Sequence, residues 1–484
     1  MSIAIWIILA TVIFSTLLGI YAGRNVKMSL EMWTVGGRQF GVVLMWLLMA
    51  GELYTTFTFL GAAGWIYSKG APAYYILIYI TLAYVIAFFI LPSIWDAGKK
   101  FGMHTLPDFF VTRYKSRFLG IAVTIIGIVS ILPYLQLQLT GLGLIVQVAS
   151  HNAISANNAM LIAFMLTCIF VFASGIRGIA WVSVVKNIMM VIVVGVVGIV
   201  VPYHYYGGIG KMFQALIIEK PNYLILPGAT TNYTSIWVMS TVLLTSMGFY
   251  MWPHNFSSVF SARSSNIIKR NSIIMPFYQI LLLLIVGIGF TALLKIPGLK
   301  NSDMAFLEIV QRTFPDWFLG FVGAAGAITA MVPAAILILS ASTLLSKNIY
   351  KDGFNPKASD TSIINLSRIM AIVITAIALF LSITLPSTLV GLLLIGFNGV
   401  AQFFPGVVLG LFWKRITSLA TTVGMIAGIC TVTILMMVKQ DPFLGLNAGF
   451  VAVTVNFMIT ILLSLASKNK PLNQTFTEIG NNSL

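Results

Sequence analysis

The stretch LMWLLMAGELYTTFTFLGAAG, residues 44–64, is apolar and long enough to cross a bilayer, yet it carries Glu52, the threonines Thr55, Thr56 and Thr58, and the glycines Gly51, Gly61 and Gly64. An ionisable side chain in hydrocarbon is costly, so it is rare and faces a cavity or a partner. Glycine and β-branched residues also make a poor continuous helix. The stretch therefore reads as a membrane span broken near its middle, with an acid at the break.

The rest of the chain supports that setting. Of its 484 residues 59% are hydrophobic and 8% charged, too little charge to cover a soluble surface of this size. Apolar runs of spanning length recur from end to end and predict an all-α polytopic membrane protein with about thirteen spans. In outline they are 3–22, 41–67, 72–95, 118–148, 158–174, 180–203, 234–258, 273–294, 318–346, 367–385, 388–412, 417–438 and 445–466, with the division at 174–180 the least marked. The longest stretches between them are 204–233 and 295–317 on one side, and 96–117 and 347–366 on the other. The polar tail 469–484 is expected to be disordered.

The first span has no basic residue ahead of it, while Arg24, Lys27 and Arg38 follow. A cleaved signal peptide has the opposite charge order, so the expectation is a retained span with the N-terminus outside and the C-terminus inside. With that orientation 21 of the 28 lysines and arginines fall on the inner side, a strong positive-inside bias. Topology thus accounts for the net charge of +16, and the partner it implies is the lipid bilayer of the cell membrane rather than nucleic acid. Cys168 and Cys430 lie in apolar runs and read as packed thiols. Phosphate-loop, HExxH, CxxC and EF-hand patterns are missing, so ATP-driven and metalloenzyme readings find no support, and no cofactor or metal is expected. A monomer or weak oligomer is expected.

Of the 12 acidic residues, Glu52 alone lies deep in a span. It either caps free backbone groups of an unwound helix or acts as a proton or solute site. Two further polar clusters stand out. In SILPYLQLQLTGLG, residues 130–143, Tyr134 and Gln138 are four apart and share a helix face; interhelical glue is the competing reading. In SMGFYMWPHNF, residues 246–256, His254 is either a proton relay or a hydrogen-bonded structural histidine. Asn398 and Gln402, also four apart, precede Pro405 in another interruptible span.

FLGAAGWIY (59–67), HTLPDFFVTRY (104–114), SKNIYKDGF (346–354) and LGLFWKR (409–415) together resemble the sodium:solute symporter family, across nearly the whole chain. GELYTTFTFLGAAGW, WPHNFSSVFSAR and MVPAAILILSASTLL are most similar to its monocarboxylate permease branch. The resemblance implies a leucine-transporter-like core of five plus five inverted-repeat helices, about 41–203 and 234–412, in a single transporter domain. One extra helix (3–22) precedes the core and two (417–438 and 445–466) follow it. It also implies a solute site at the repeat interface near mid-membrane.

Carried over by resemblance, the family's sodium position takes backbone carbonyls of Gly51, Tyr54 and Thr329, and two hydroxyl side chains at Val332 and Pro333. Neither of the last two can ligate a hard cation, which needs oxygens. An aspartate common in the family near the ion path is replaced by Ser183 in GIAWVSVVKN, with Lys186 three residues on.

The expectation is secondary active symport of a small organic solute, most simply a monocarboxylate such as lactate, pyruvate or a short fatty acid. Glu52 is the coupling residue and H+, ahead of Na+, the coupling ion. The free N-terminus of a half-helix and the threonine hydroxyls are candidates for holding the carboxylate. Leu53, Thr55, Thr56, Thr58, Tyr75, Gln138, Trp252, His254, Asn398 and Gln402 are the candidate site residues. A sodium-coupled amino-acid or amine symporter is the alternative on the same fold, with Glu52 pairing to an ammonium group. A facilitative pore or transport-dead sensor is the alternative of another class; no enzyme is expected, since no nucleophile, base and orienting group converge.

Overall fold

A computed structural model describes residues 2–23 and 29–467; Arg24, Lys27 and the tail expected to be disordered lie outside them. The described chain is helical throughout, with only two isolated β-bridges. Ten helices are long and apolar enough to cross a membrane, and two bent helix pairs pass the same test when each pair is taken together. The expectation of about thirteen spans is met to that extent.

The expected division between 158–174 and 180–203 is not marked by a break: Ala156–Tyr206 is one helical stretch of 51 residues. At 1.5 Å per residue that is about 75 Å if straight, two bilayer crossings' worth. Several stretches outside the expected spans also carry helix. Ile209–Glu219 and Ala305–Thr313 fold within the long connections, and Leu344–Phe354 continues the preceding span as a π-helical extension.

Asp316–Thr343 is the axis of the molecule. Every residue of its apolar window is buried, against 33% for the N-terminal span. Its small residues let neighbours come close, the packing device available where lipid supplies no hydrophobic driving force. A Cβ added at Gly326 would lie 3.0 Å from Phe59 and 2.7 Å from Ile145, and one at Gly323 2.6 Å from Ile8. The N-terminal helix Ile3–Gly23 packs against this axis and against Ala156–Tyr206, while Ser418–Met437 and Ala448–Ala466 pack on each other.

The motifs that carry the family resemblance meet in space. Asp108, inside TLPDFF, closes a capping box with Thr105 and accepts from the backbone N–H of His104 at 2.8 Å. Its other oxygen accepts from the Lys347 ammonium and from Asn348 Nδ2 at 2.9 Å, both from SKNIYKDGF. Burial pushes the Asp108 carboxyl up, but the Lys347 charge and these donors outweigh it and hold the group below the usual carboxylate range. Arg113 and Tyr114, from the same short helix, donate to the carbonyls of Gly410, within LGLFWKR, and Gly406, just before it. These motifs form a polar belt at one end of the bundle.

At the opposite end, Gly64 packs so closely on Ser302 and Asp303 that an added Cβ would sit 2.8 Å from the Ser302 carbonyl. Asp303 Oδ2 accepts from the N–H of Leu389 at 2.9 Å, at the start of Leu389–Val400, and Oδ1 has no partner among the described residues. Burial pushes this carboxyl up to about 6 from 3.8, against the lowering effect of the Leu389 hydrogen bond. The raised value favours the packed arrangement fully below about pH 3.8, and the benefit is lost as pH rises through about 6. Two pK units correspond to about 3 kcal/mol. Thermal melts of the wild type should therefore fall between pH 4 and pH 7 by more than those of Asp303→Asn; parallel curves would refute the assignment.

Candidate functional site

Two broken spans face one another. In the first, Val42–Leu53 and Phe57–Lys69 meet at 53°, and in the second, Ser235–Met251 and Pro253–Val259 meet at 56°. Tyr54 leaves the helical region at φ −86°, ψ 102°, and the chain re-enters through a π-helical turn, Phe57–Gly61. In the second span Trp252 takes φ −58°, ψ 128°, ahead of Pro253, which lacks the N–H needed to continue the helix.

The threonines close the first break from within. Thr58 Oγ1 accepts from Thr55 N at 2.8 Å and donates to the Thr55 carbonyl at 3.0 Å, and Thr55 Oγ1 accepts from Phe57 N at 3.2 Å. Thr58 also reaches the carbonyl of Leu53 at 3.4 Å. Thr56 donates to Gln138 Oε1 from its hydroxyl at 2.8 Å and from its N–H at 3.4 Å. The backbone N–H groups expected to be free for a carboxylate are thus already bonded, because an unmet backbone donor in a dry interior costs more than a side chain turned inward to meet it.

Donors and acceptors remain beyond these. Gln138 is 1% exposed and its Nε2 has no partner among the described residues; the same holds for His254 Nδ1 and Glu52 Oε1. Glu52, 6% exposed, ties the two broken spans together, its Oε2 accepting from Ser258 Oγ at 3.3 Å. Ser258 in turn donates to the Asn255 carbonyl, and Asn255 Nδ2 spans the second break to the carbonyl of Phe249 at 2.8 Å. Tyr134 lies against Trp252 and His254, ring centroids 5.0 and 5.7 Å apart, and Trp252 meets Phe397 at 5.4 Å. A narrow cavity of about 20 Å³ runs past His254 toward the polar belt, lined also by Thr34, His104, Ser340 and Thr343.

Other candidates are placed elsewhere. Tyr75 belongs to an aromatic cluster with Trp65 and Trp237, at 5.7 and 6.1 Å, near the Asp303 end. Asn398 and Gln402 point away from the breaks, which corrects the expectation that they line the site. A Cβ on Gly449 would meet Asn398 Oδ1, and one on Gly428 would meet Gln402 Oε1. Asn456 Nδ2 donates to the Gln402 carbonyl at 2.9 Å and its side-chain oxygen at 3.2 Å. Both residues bind the core to the two C-terminal helices, since the face they share is the one turned toward Ala448–Ala466. Ser258, Tyr134 and Phe397 were not among the candidates; Tyr134 was legible as the helical neighbour of Gln138, while Ser258 and Phe397 had no local signal.

Of the residues carried over to the sodium position, Gly51 and Val332 lie close together. A Cβ on Gly51 would lie 3.8 Å from Val332 Cγ1. Val332 and Pro333 present no oxygen, and the buried Thr329 hydroxyl has no partner among the described residues. The Gly51 carbonyl accepts instead from the ammonium of Lys186. These residues do not fit a sodium ion, which needs several converging oxygens.

A family model described as the sodium:solute symporter family matches residues 33–428. The Uncharacterized symporter YhjB of Bacillus subtilis (strain 168) is 41% identical, over 97% of this chain and 98% of its own. A monocarboxylate transport permease protein of Rhizobium johnstonii is 29% identical, over 83% of this chain and 82% of its own. Among solved structures, a Na+-coupled sialic acid symporter in its substrate-bound outward-open state superimposes with a TM-score of 0.80 at 16% identity, covering 98% of each chain. That likeness shows the leucine-transporter-like fold.

Proposed function

The chain belongs to the sodium:solute symporter family, and on that premise we propose that it takes up a small monocarboxylate by alternating access, coupled to protons through Glu52. The observation that carries this reading is Glu52 itself, a buried acid with one oxygen held by Ser258 of the second broken span and the other unpartnered among the described residues. It stands beside a sodium position that has lost both side-chain oxygens. A carboxylate substrate near Glu52 brings two anions together, so protonation of Glu52 and binding of the substrate favour each other.

Gln138, whose Oε1 holds Thr56 at the break, keeps an Nε2 donor unpartnered among the described residues, and the rings of Tyr134, Trp252 and Phe397 supply the apolar wall a short acid needs. A relative named for monocarboxylate transport supports the substrate class. The basic-residue distribution supports an N-terminus outside the cell membrane. The second reading, an amino acid whose ammonium meets Glu52 Oε1, draws on the same unpartnered oxygen and on relatives that are sodium/proline symporters at 23% identity.

The test is internal pH in proteoliposomes. Adding pyruvate or lactate should acidify the lumen at the same rate in sodium and in choline buffers. Strict sodium dependence, together with a wild-type rate in Glu52→Gln, overturns the reading.

A further inference from the structure

Lys186 has no part in the scheme above, although it is 0% exposed. Its ammonium donates to the Gly51 carbonyl, and the next residue, Asn187, donates from Nδ2 to the carbonyl of Leu47 at 3.1 Å. Leu47 and Gly51 are one helical turn apart, so two consecutive side chains of Ala156–Tyr206 clasp successive turns of the first broken span, just ahead of its break. Close approach makes this possible. Ser183 Oγ, itself donating to the Ile179 carbonyl at 2.9 Å, lies 2.7 Å from where a Cβ on Gly51 would be. Any larger residue at 51 would push the two helices apart.

The carbonyl that Lys186 holds is the one a sodium ion would share in a sodium-coupled relative. We propose that Lys186 is a covalently tethered replacement for that ion, an ammonium that occupies the Gly51 carbonyl, shuts sodium out and thereby sets the ion specificity of this chain. An ammonium and a sodium ion carry the same charge, and both bind a carbonyl oxygen. The tethered one needs fewer oxygens because its side chain already confines it, which is why Val332 and Pro333 are tolerated opposite. Glu52 lies within electrostatic reach of Lys186; an added sodium would place a second cation beside the ammonium. This inference rests on the proton-coupled reading, since it explains why sodium is not the coupling ion.

The test uses two variants of the full chain in proteoliposomes, assayed by counterflow so that added amines do not act through a pH gradient. Lys186→Met keeps the side chain's bulk without its charge, and Lys186→Ala empties the space. Both should lose exchange by about tenfold or more. Millimolar sodium or ethylammonium should restore it in Lys186→Ala alone, because methionine blocks the vacated position. Wild-type exchange in Lys186→Met overturns the proposal, as does a monodisperse Lys186→Ala that gains nothing from either cation. If neither variant is monodisperse, the wild type decides: a melting temperature raised by sodium over choline overturns the proposal, and equal values support it. The substrate-driven acidification assay on the wild type separates the two readings. Its failure removes proton coupling whatever the variants do, while its success with failed rescue removes only the role of Lys186.

Discussion

Glu52→Gln should bind and exchange substrate but lose the effect of acid on both. Glutamine keeps the size of the side chain and an oxygen for the Ser258 hydroxyl, whose bond to Glu52 Oε2 spans 3.3 Å between the two broken helices. It cannot take up a proton. In the wild type, acidification from pH 8 to pH 5 should raise substrate affinity by about 5- to 150-fold, the range of an ordinary coupling free energy. In Glu52→Gln the affinity should be flat over that interval, and uphill accumulation driven by a pH gradient should disappear while counterflow persists. Affinity measured against pH, with counterflow as the control for folding, decides the matter. A variant that keeps the wild-type pH dependence would assign the proton to another group.

The second large effect is expected at Gln138, where a single change separates the two substrate classes. Gln138→Glu keeps the Oε1 acceptor that holds Thr56 at 2.8 Å, so the first break should stay closed. The free Nε2 donor becomes a carboxylate oxygen. Like charges brought together in a buried site cost several kcal/mol, so the KM for a monocarboxylate should rise by about 100-fold. An amino acid or amine would bind as well or better. Competition of pyruvate and alanine for one labelled substrate, in wild type and variant, reads out the difference. An unchanged KM for pyruvate would remove Gln138 from the carboxylate site. Gln138→Leu is the less informative change, because it also strips the acceptor from Thr56 and costs about 1–3 kcal/mol of stability.

Much of this site is legible in the sequence. Glu52 was isolated because an acid inside an apolar run has no cheap explanation, and the break beside it because glycines and β-branched residues cluster there. Val332 and Pro333 were legible as a lost sodium position through the family resemblance, since side-chain oxygens are either present or not. The threonines were noted as candidates for holding a solute carboxylate, and the structure gives their hydroxyls a local task. Their hydroxyls close the break, as the bonds among Thr55, Phe57 and Thr58 show, because a broken helix in a dry interior must satisfy its own backbone first. Asn398 and Gln402 were correctly placed on one helix face. Which face it was depended on Gly428, Gly449 and Asn456, which lie beyond residue 420.

The sequence by itself determined that this chain crosses the membrane many times, that its first core span is interrupted, and that the interruption holds the one acid that lies deep within an apolar run. Those are consequences of apolar run length and of residue chemistry, both local quantities. Only the tertiary structure decided partners. Lys186 reaches Gly51 across 135 residues of sequence, and Ser258 reaches Glu52 across 206. Asp108 finds Lys347 across 239. Helix periodicity says which side chains share a face, but the rotation of each helix about its axis is set by packing against its neighbours, and that rotation selects the donor each acceptor meets.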